Sequence, residues 1–321
     1  MEIFHCENRK AMLKYACSIG GVMDYILIIF SVIMFGGCFA LKDVYRAERG
    51  SSLKISLEFS LLGAIAGAVV LFAINGFAVT FTPFALLMAA LTAVNGILFT
   101  FASFRALGKI NLSLYSVFSM LGGMLLPFLQ GIMFYGEEFT VAKAISLALI
   151  FAALLFTLEK DLKRRSGGIY YLLVFILNGM SGVISKLFAS APPEWNTDPS
   201  GALVSSAGYS VLASLSTIVL SGILLLTVGK RLGASPRHTP RSIAVTLASG
   251  SLNKIANWIL VFALASGIDS SVQYPMVTGG TMIVSTAICF FGKNRPSKRE
   301  LLSVLLAFLG MLALFLIPML F

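Results

Sequence analysis

Ten runs of mostly apolar residues divide the chain, near 24–41, 55–75, 83–107, 112–135, 140–158, 169–189, 203–228, 242–266, 270–291 and 300–320. The hydrocarbon core of a bilayer takes about 20 apolar residues per helix. Inside it a backbone N–H or C=O finds no water, so a spanning segment must satisfy its own hydrogen bonds, as a helix does. The expected fold is therefore an all-α polytopic membrane protein with ten transmembrane helices. Of the 321 residues 58% are hydrophobic and 12% charged, and the mean hydropathy is +0.91. Soluble domains carry about 25% charged residues. Outside the runs lie a short head, residues 1–23, and short loops, with no room for a soluble domain.

A net charge of +10 could suggest nucleic acid, but the cations cluster between apolar runs and read as topology signals. All lysines and arginines except Arg9, Lys10, Lys14, Lys143, Lys186 and Lys254 fall after runs one, three, five, seven and nine. By the positive-inside rule those loops face the cytoplasm and both termini lie outside. The head is basic yet lacks the form of a signal peptide. Met23 opens the first run directly, so a start assigned too far upstream stays open as a reading. Cys6, Cys17, Cys38 and Cys289 have no metal or disulfide spacing. Neither a catalytic motif nor a phosphate-binding Gly-Lys-Ser/Thr loop is present. No enzyme and no cofactor is expected, and transport would draw on a gradient or exchange.

The chain repeats itself. "YSVFSMLGGMLLPFLQGIMFYGEE" (115–138) is echoed by "YPMVTGGTMIVSTAICFFGKN" (274–294), "VNGILF" (94–99) faces "LNKIAN" (252–257), and "GCFALK" (37–42) matches "SGVISK" (181–186). The units are 24–158 and 169–321. A unit with an odd number of spans leaves its successor entering from the other side of the membrane, so two five-helix units become inverted repeats, as in many secondary transporters.

Lys42 and Lys186 closing the first helix of each half, Pro127 and Gly136-Glu137 in the first half, and Gly292 with Gly310 in the second carry a resemblance. The chain resembles the drug/metabolite transporter superfamily, in its EamA-type ten-helix members, over residues 24 to 320. The resemblance implies two five-helix domains and a pocket between them. Two features depart from it: Lys293 stands where the pattern has Glu, and the resemblance implies cytoplasmic termini where the charges put them outside.

An ionisable side chain at mid-bilayer costs at least about 2.5–3.5 kcal/mol and usually faces a cavity. Lys254 lies near the middle of run eight. Helical spacing sets Gly250, Asn253 and Asn257 on one stripe, with Ser251, Lys254 and Trp258 beside it. On run three the corresponding stripe holds Thr92, Asn95, Gly96 and Ser103, with Gly96 at the position of Lys254. Tyr115 and Ser119 on run four, Asn178 on run six and Tyr274 on run nine complete a polar lining. Set against this, Lys254 could pair with Glu58, Asp24 or Asp269, or snorkel, and Asn95 and Asn253 could be interhelical links. The Gly122-Gly123 and Gly279-Gly280 pairs read first as close-packing sites.

The expected function is a secondary transporter moving a small polar or amphipathic metabolite across a bacterial plasma (inner) membrane by alternating access. Its partners would be that small molecule and the lipid bilayer, with no nucleic acid; proton or exchange coupling and a homo-oligomer stay open. Lacking a mid-span acid, the site suits a carboxylate or phosphate better than an organic cation. The alternatives are a flippase for lipid headgroups or lipid-linked metabolites, and a membrane accessory protein that does not transport.

Overall fold

The computed structural model describes the backbone of residues 2–109, 112–161, 168–233, 235–266, 268, 270–291 and 297–320, and most side chains from Tyr25 onward. It is built of helices: α1 (Glu2–Arg49), α2 (Leu53–Ile74), α3 (Pro83–Leu107), α4 (Leu112–Tyr135), α5 (Val141–Asp161), α6 (Gly168–Ala189), the one-turn α7 (Pro193–Asn196), α8 (Ser206–Thr227), α9 (Pro240–Ala265), α10 (Ser270–Phe291) and α11 (Lys298–Leu320). Among the described residues eight of these are long and apolar enough to cross a membrane: all but α5, α7 and α11. Helices α5 and α11 contain shorter apolar stretches, Val141–Ala153 and Leu301–Gly310.

Local chemistry sets the helix starts. Ser52, Thr82, Ser205 and Thr239 are in extended conformation just before α2, α3, α8 and α9, and each hydroxyl accepts from a backbone N–H of the first turn. This satisfies one of the donors a helix start leaves free. Pro83 and Pro240 follow directly, where the missing N–H costs nothing. At the other end of α4, Gly136 takes φ +66, a left-handed turn that delivers Glu137 back over the helix, its N–H donating to the Gly131 carbonyl at 3.1 Å.

Helix α1 does not end with its apolar run near residue 41 but continues to Arg49. Lys42, expected in a cytoplasmic loop, is therefore inside a helix and 6% exposed. Hydropathy marks where residues stop being apolar, and the helix runs two turns further.

Helix α1 packs on α9 and α10, α6 on α3 and α4, α2 on α8 and α9, α3 on α8, α4 on α10, and α5 on α11. Because lipid tails are as apolar as leucine, close approach and polar links hold such helices together. Glycines provide the approach. A Cβ on Gly250 would lie 2.3 Å from the Gly63 Cα, so α2 and α9 touch backbone to backbone. On Gly122 it would meet the Phe175 carbonyl oxygen at 1.9 Å, where α4 crosses α6, and on Gly280 of α10 it would come within 2.8 Å of a Val32 methyl group of α1. Gly122 and Gly123 of α4 and Gly280 of α10 thus lie at helix crossings. Several hydroxyls inside the helices satisfy themselves: Thr100, Ser103, Ser214, Thr217 and Thr246 each donate to the carbonyl four residues earlier.

Side-chain bonds tie the helix ends into two groups. At one face Lys54 donates to the Gly233 carbonyl at 3.0 Å, Arg49 pairs with Glu58, and His238 lies 3.2 Å from Arg49. At the other, Ser205 donates to Asn75 at 2.8 Å, and Glu137 is ion-paired to Lys186.

Candidate functional site

A cavity of about 200 Å3 lies among α1, α2, α3, α4, α6, α8, α9 and α10. Helix α9 contributes Asn253 and Lys254, one turn from Gly250, and Asn257, one turn further on. The stem of Lys254 lies across Gly67 of α2, where a Cβ would come within 2.3 Å of the lysine Cγ. A glycine on α2 therefore makes the slot in which this lysine sits. Asn257 donates to the Asn253 carbonyl at 2.8 Å, and the two amides are 3.2 Å apart.

Lys42 borders the same cavity from α1. Its Nζ stands 4.7 Å from the Phe99 ring centre and 6.0 Å from that of Phe39, within cation–π range. Among the described residues no carboxylate lies within ion-pair distance of Lys42 or Lys254, and the cavity wall contains no Asp or Glu. Glu58, a candidate partner for Lys254, is committed to Arg49 at 2.5 Å. Asp24 and Asp269 lie outside the residues whose side chains are described.

The remaining wall is amphipathic. Asn178 donates to the Ser119 carbonyl at 2.6 Å and Tyr274 to the Gly182 carbonyl at 3.0 Å. Tyr209, bonded to Thr92 at 2.7 Å, stacks on Phe188 with ring centres 3.9 Å apart. Phe35, Phe39, Phe59 and Phe99 supply apolar surface. Two ammonium groups, three amides and several hydroxyls facing aromatic rings can hold a small molecule with an acidic end and an apolar body.

Of the residues singled out in the sequence, Lys254, Asn253, Asn257, Asn178 and Tyr274 meet at this cavity. Asn95, Tyr115, Ser119 and Trp258 do not. Asn95 is buried as a link between α3 and α6, donating to the Leu177 carbonyl at 2.9 Å and to Ser181 at 2.8 Å. Tyr115 is buried against Ser103 at 2.8 Å and edge-on to Phe39. Ser119 is buried, and its carbonyl serves Asn178. Trp258 packs against Phe262 of its own helix. Sequence reasoning missed Lys42 and Tyr209. The available signal for Lys42 was its match to Lys186 at the end of the repeated "GCFALK" and "SGVISK" segments.

Both ends of the cavity are tied. One residue beyond the lining Ser185, Lys186 is ion-paired to Glu137 and donates to Ser270, which donates to the same Glu137 oxygen at 2.7 Å. At the opposite end Glu58, beside the lining Phe59, takes bonds from Arg49 and, at 2.7 Å, from Ser235.

No protein-family model matches the chain, and neither does any curated protein. Solved structures do match. The crystal structure of one protein superposes with a TM-score of 0.62 at 17% identity, over 91% of this chain and 95% of its own. At that identity the similarity concerns the fold alone.

Proposed function

We propose that this chain is a secondary-active transporter that moves a small polar or amphipathic metabolite by alternating access. Its ten long helices form two inverted five-helix halves of the drug/metabolite transporter kind, in a bacterial plasma membrane. The observation that carries the reading is the cavity itself: walls from both halves of the chain, with Lys254 on the wall and unpaired among the described residues. An accessory protein has no use for such a space, and substrate sites of inverted-repeat transporters lie at the repeat interface.

The packing supports the inversion. Exchanging α1, α2, α3, α4 and α5 for α6, α8, α9, α10 and α11 turns every helix pair named above into a named pair, either itself or its counterpart. Helix α1 ends where α2 begins, whereas α6 leads into α8, whose start at Ser205 bonds Asn75 at the end of α2. Helices α1 and α6 thus run in opposite senses. Alternate opening then consists of releasing the Glu58 ties at one end or the Glu137 ties at the other. With no nucleotide site, the driving force is a gradient or exchange.

Reconstitution into liposomes, followed by uptake of a labelled metabolite panel, tests this reading. At least one solute should accumulate saturably, and Lys254→Met should abolish that uptake while its elution in size-exclusion chromatography stays that of the folded protein. Wild-type uptake by Lys254→Met removes this lysine from the mechanism.

A further inference from the structure

Among the described residues, the repeat has one lysine with its own acid and one without. Lys186, closing the first helix of the second half, is buried against Glu137 and Ser270. Lys42, at the matching position of the first half, is as deeply buried, and among the described residues its ammonium group has the Phe99 and Phe39 rings and Cys38 nearby but no carboxylate within ion-pair distance. The reason is readable in the repeat: the segment that supplies Glu137 in one half carries Lys293 in the other. A buried charge without a counter-charge is costly, and here the cavity that Lys42 borders contains a second such group, Lys254, and no carboxylate among the described residues of its wall.

We infer that the missing acid belongs to the substrate, and that the site takes a doubly charged anion, a phosphomonoester or a dicarboxylate, bridging Lys42 and Lys254. A monoanion would leave one of two ammonium groups uncompensated in a poorly solvated space, and an organic cation would be repelled by both. The amides of Asn178, Asn253 and Asn257 supply neutral hydrogen bonds around the bridge, while Phe35 and Phe59 cover the uncharged remainder. This rests on the cavity being a substrate site, and it adds the charge the substrate carries and a residue, Lys42, that binds it.

Thermal unfolding of the purified full chain tests the inference without transport. Inorganic phosphate, in mildly alkaline buffer where it is doubly charged, and succinate are compared with acetate and choline, all at ionic strength matched with chloride. A ligand that binds only the folded state raises Tm in a saturable way. Phosphate or succinate should do so at concentrations where acetate and choline do not. Response to phosphate alone identifies a phosphoryl group, and response to succinate alone a dicarboxylate. Lys42→Met and Lys254→Met should each weaken that binding by about ten- to a hundredfold, as expected for loss of a charged hydrogen bond, and Lys42→Arg should retain most of it. Should either Met variant unfold, sulfate competition against the wild-type protein gives the same answer: sulfate should displace the dianion where chloride does not. The inference is overturned if no dianion outperforms acetate, or if both Met variants bind it like wild type. Uptake of a neutral or cationic solute without dianion binding would reject the anion and keep the transporter. Dianion binding without uptake of any solute would do the reverse.

Discussion

Glu137, just beyond α4, is ion-paired to Lys186 in the last turn of α6, and this contact joins the first half of the chain to the second at one mouth of the cavity. Both side chains are nearly out of solvent. Removing one partner of a buried pair leaves the other charge uncompensated, at a cost of about 3–5 kcal/mol, whereas removing both is close to neutral. Glu137→Gln should therefore lower stability by that order, and adding Lys186→Met should restore most of it. Additive losses in the double variant, measured by denaturant titration, would contradict this.

The α2–α9 crossing makes a sharper contrast. Gly250→Ala puts a methyl group onto the Gly63 backbone, which cannot turn aside, and should cost about 1–3 kcal/mol. Gly222→Ala on α8 meets nothing within 4 Å and should be neutral or stabilising by up to about 1 kcal/mol, because alanine is the better helix former. Equal Tm shifts for the two would show that the crossing is looser than described.

The grouping of helix ends fixes which loops share a side. Ser235→Cys should be labelled by a membrane-impermeant maleimide only from the cytoplasmic side and Asn75→Cys only from outside, and a cytoplasm-dependent fluorescent tag after Phe321 should stay dark. A bright tag would reverse the orientation drawn from the basic loops and leave the fold unchanged.

In the loop between α7 and α8, the Ser200 hydroxyl, followed by the Ala202 amide, donates to Asp198 and holds its carboxyl below the ordinary value of 3.8. The stabilisation is present above the unfolded pKa and disappears as pH falls through the lowered folded one. Hydrogen-exchange protection of 197–203, corrected for intrinsic rates, should hold from about pH 7 to about pH 5 and decline only in stronger acid. A decline already at pH 5 would refute the assignment.

Helices α3 and α4 occupy the apolar runs 83–107 and 112–135 to the residue, because lipid crossing demands apolar length and the sequence carries it openly. The Lys254 stripe was legible for the same reason: polar residues stand out on an apolar helix. Lys42 was not, since a lysine at the end of an apolar run looks like a loop charge until the helix is seen to continue to Arg49. Nor does polarity alone reveal a partner. Asn95 and Asn253 are the same residue type in corresponding helices, yet one bonds α6 and the other faces the cavity. The Gly67 slot beneath Lys254 depends on a neighbouring helix, and no period within a single run encodes it.

The central claim, that one cavity opens in turn to either side, is tested most directly at Asn253. In a variant with Cys6, Cys17, Cys38 and Cys289 replaced by serine, Asn253→Cys in vesicles of defined orientation is exposed to an impermeant thiol reagent added on one side at a time. The account predicts modification from both sides, with Glu137→Gln speeding the reaction from the Asn75 side. Modification from one side only, or from neither, would contradict it.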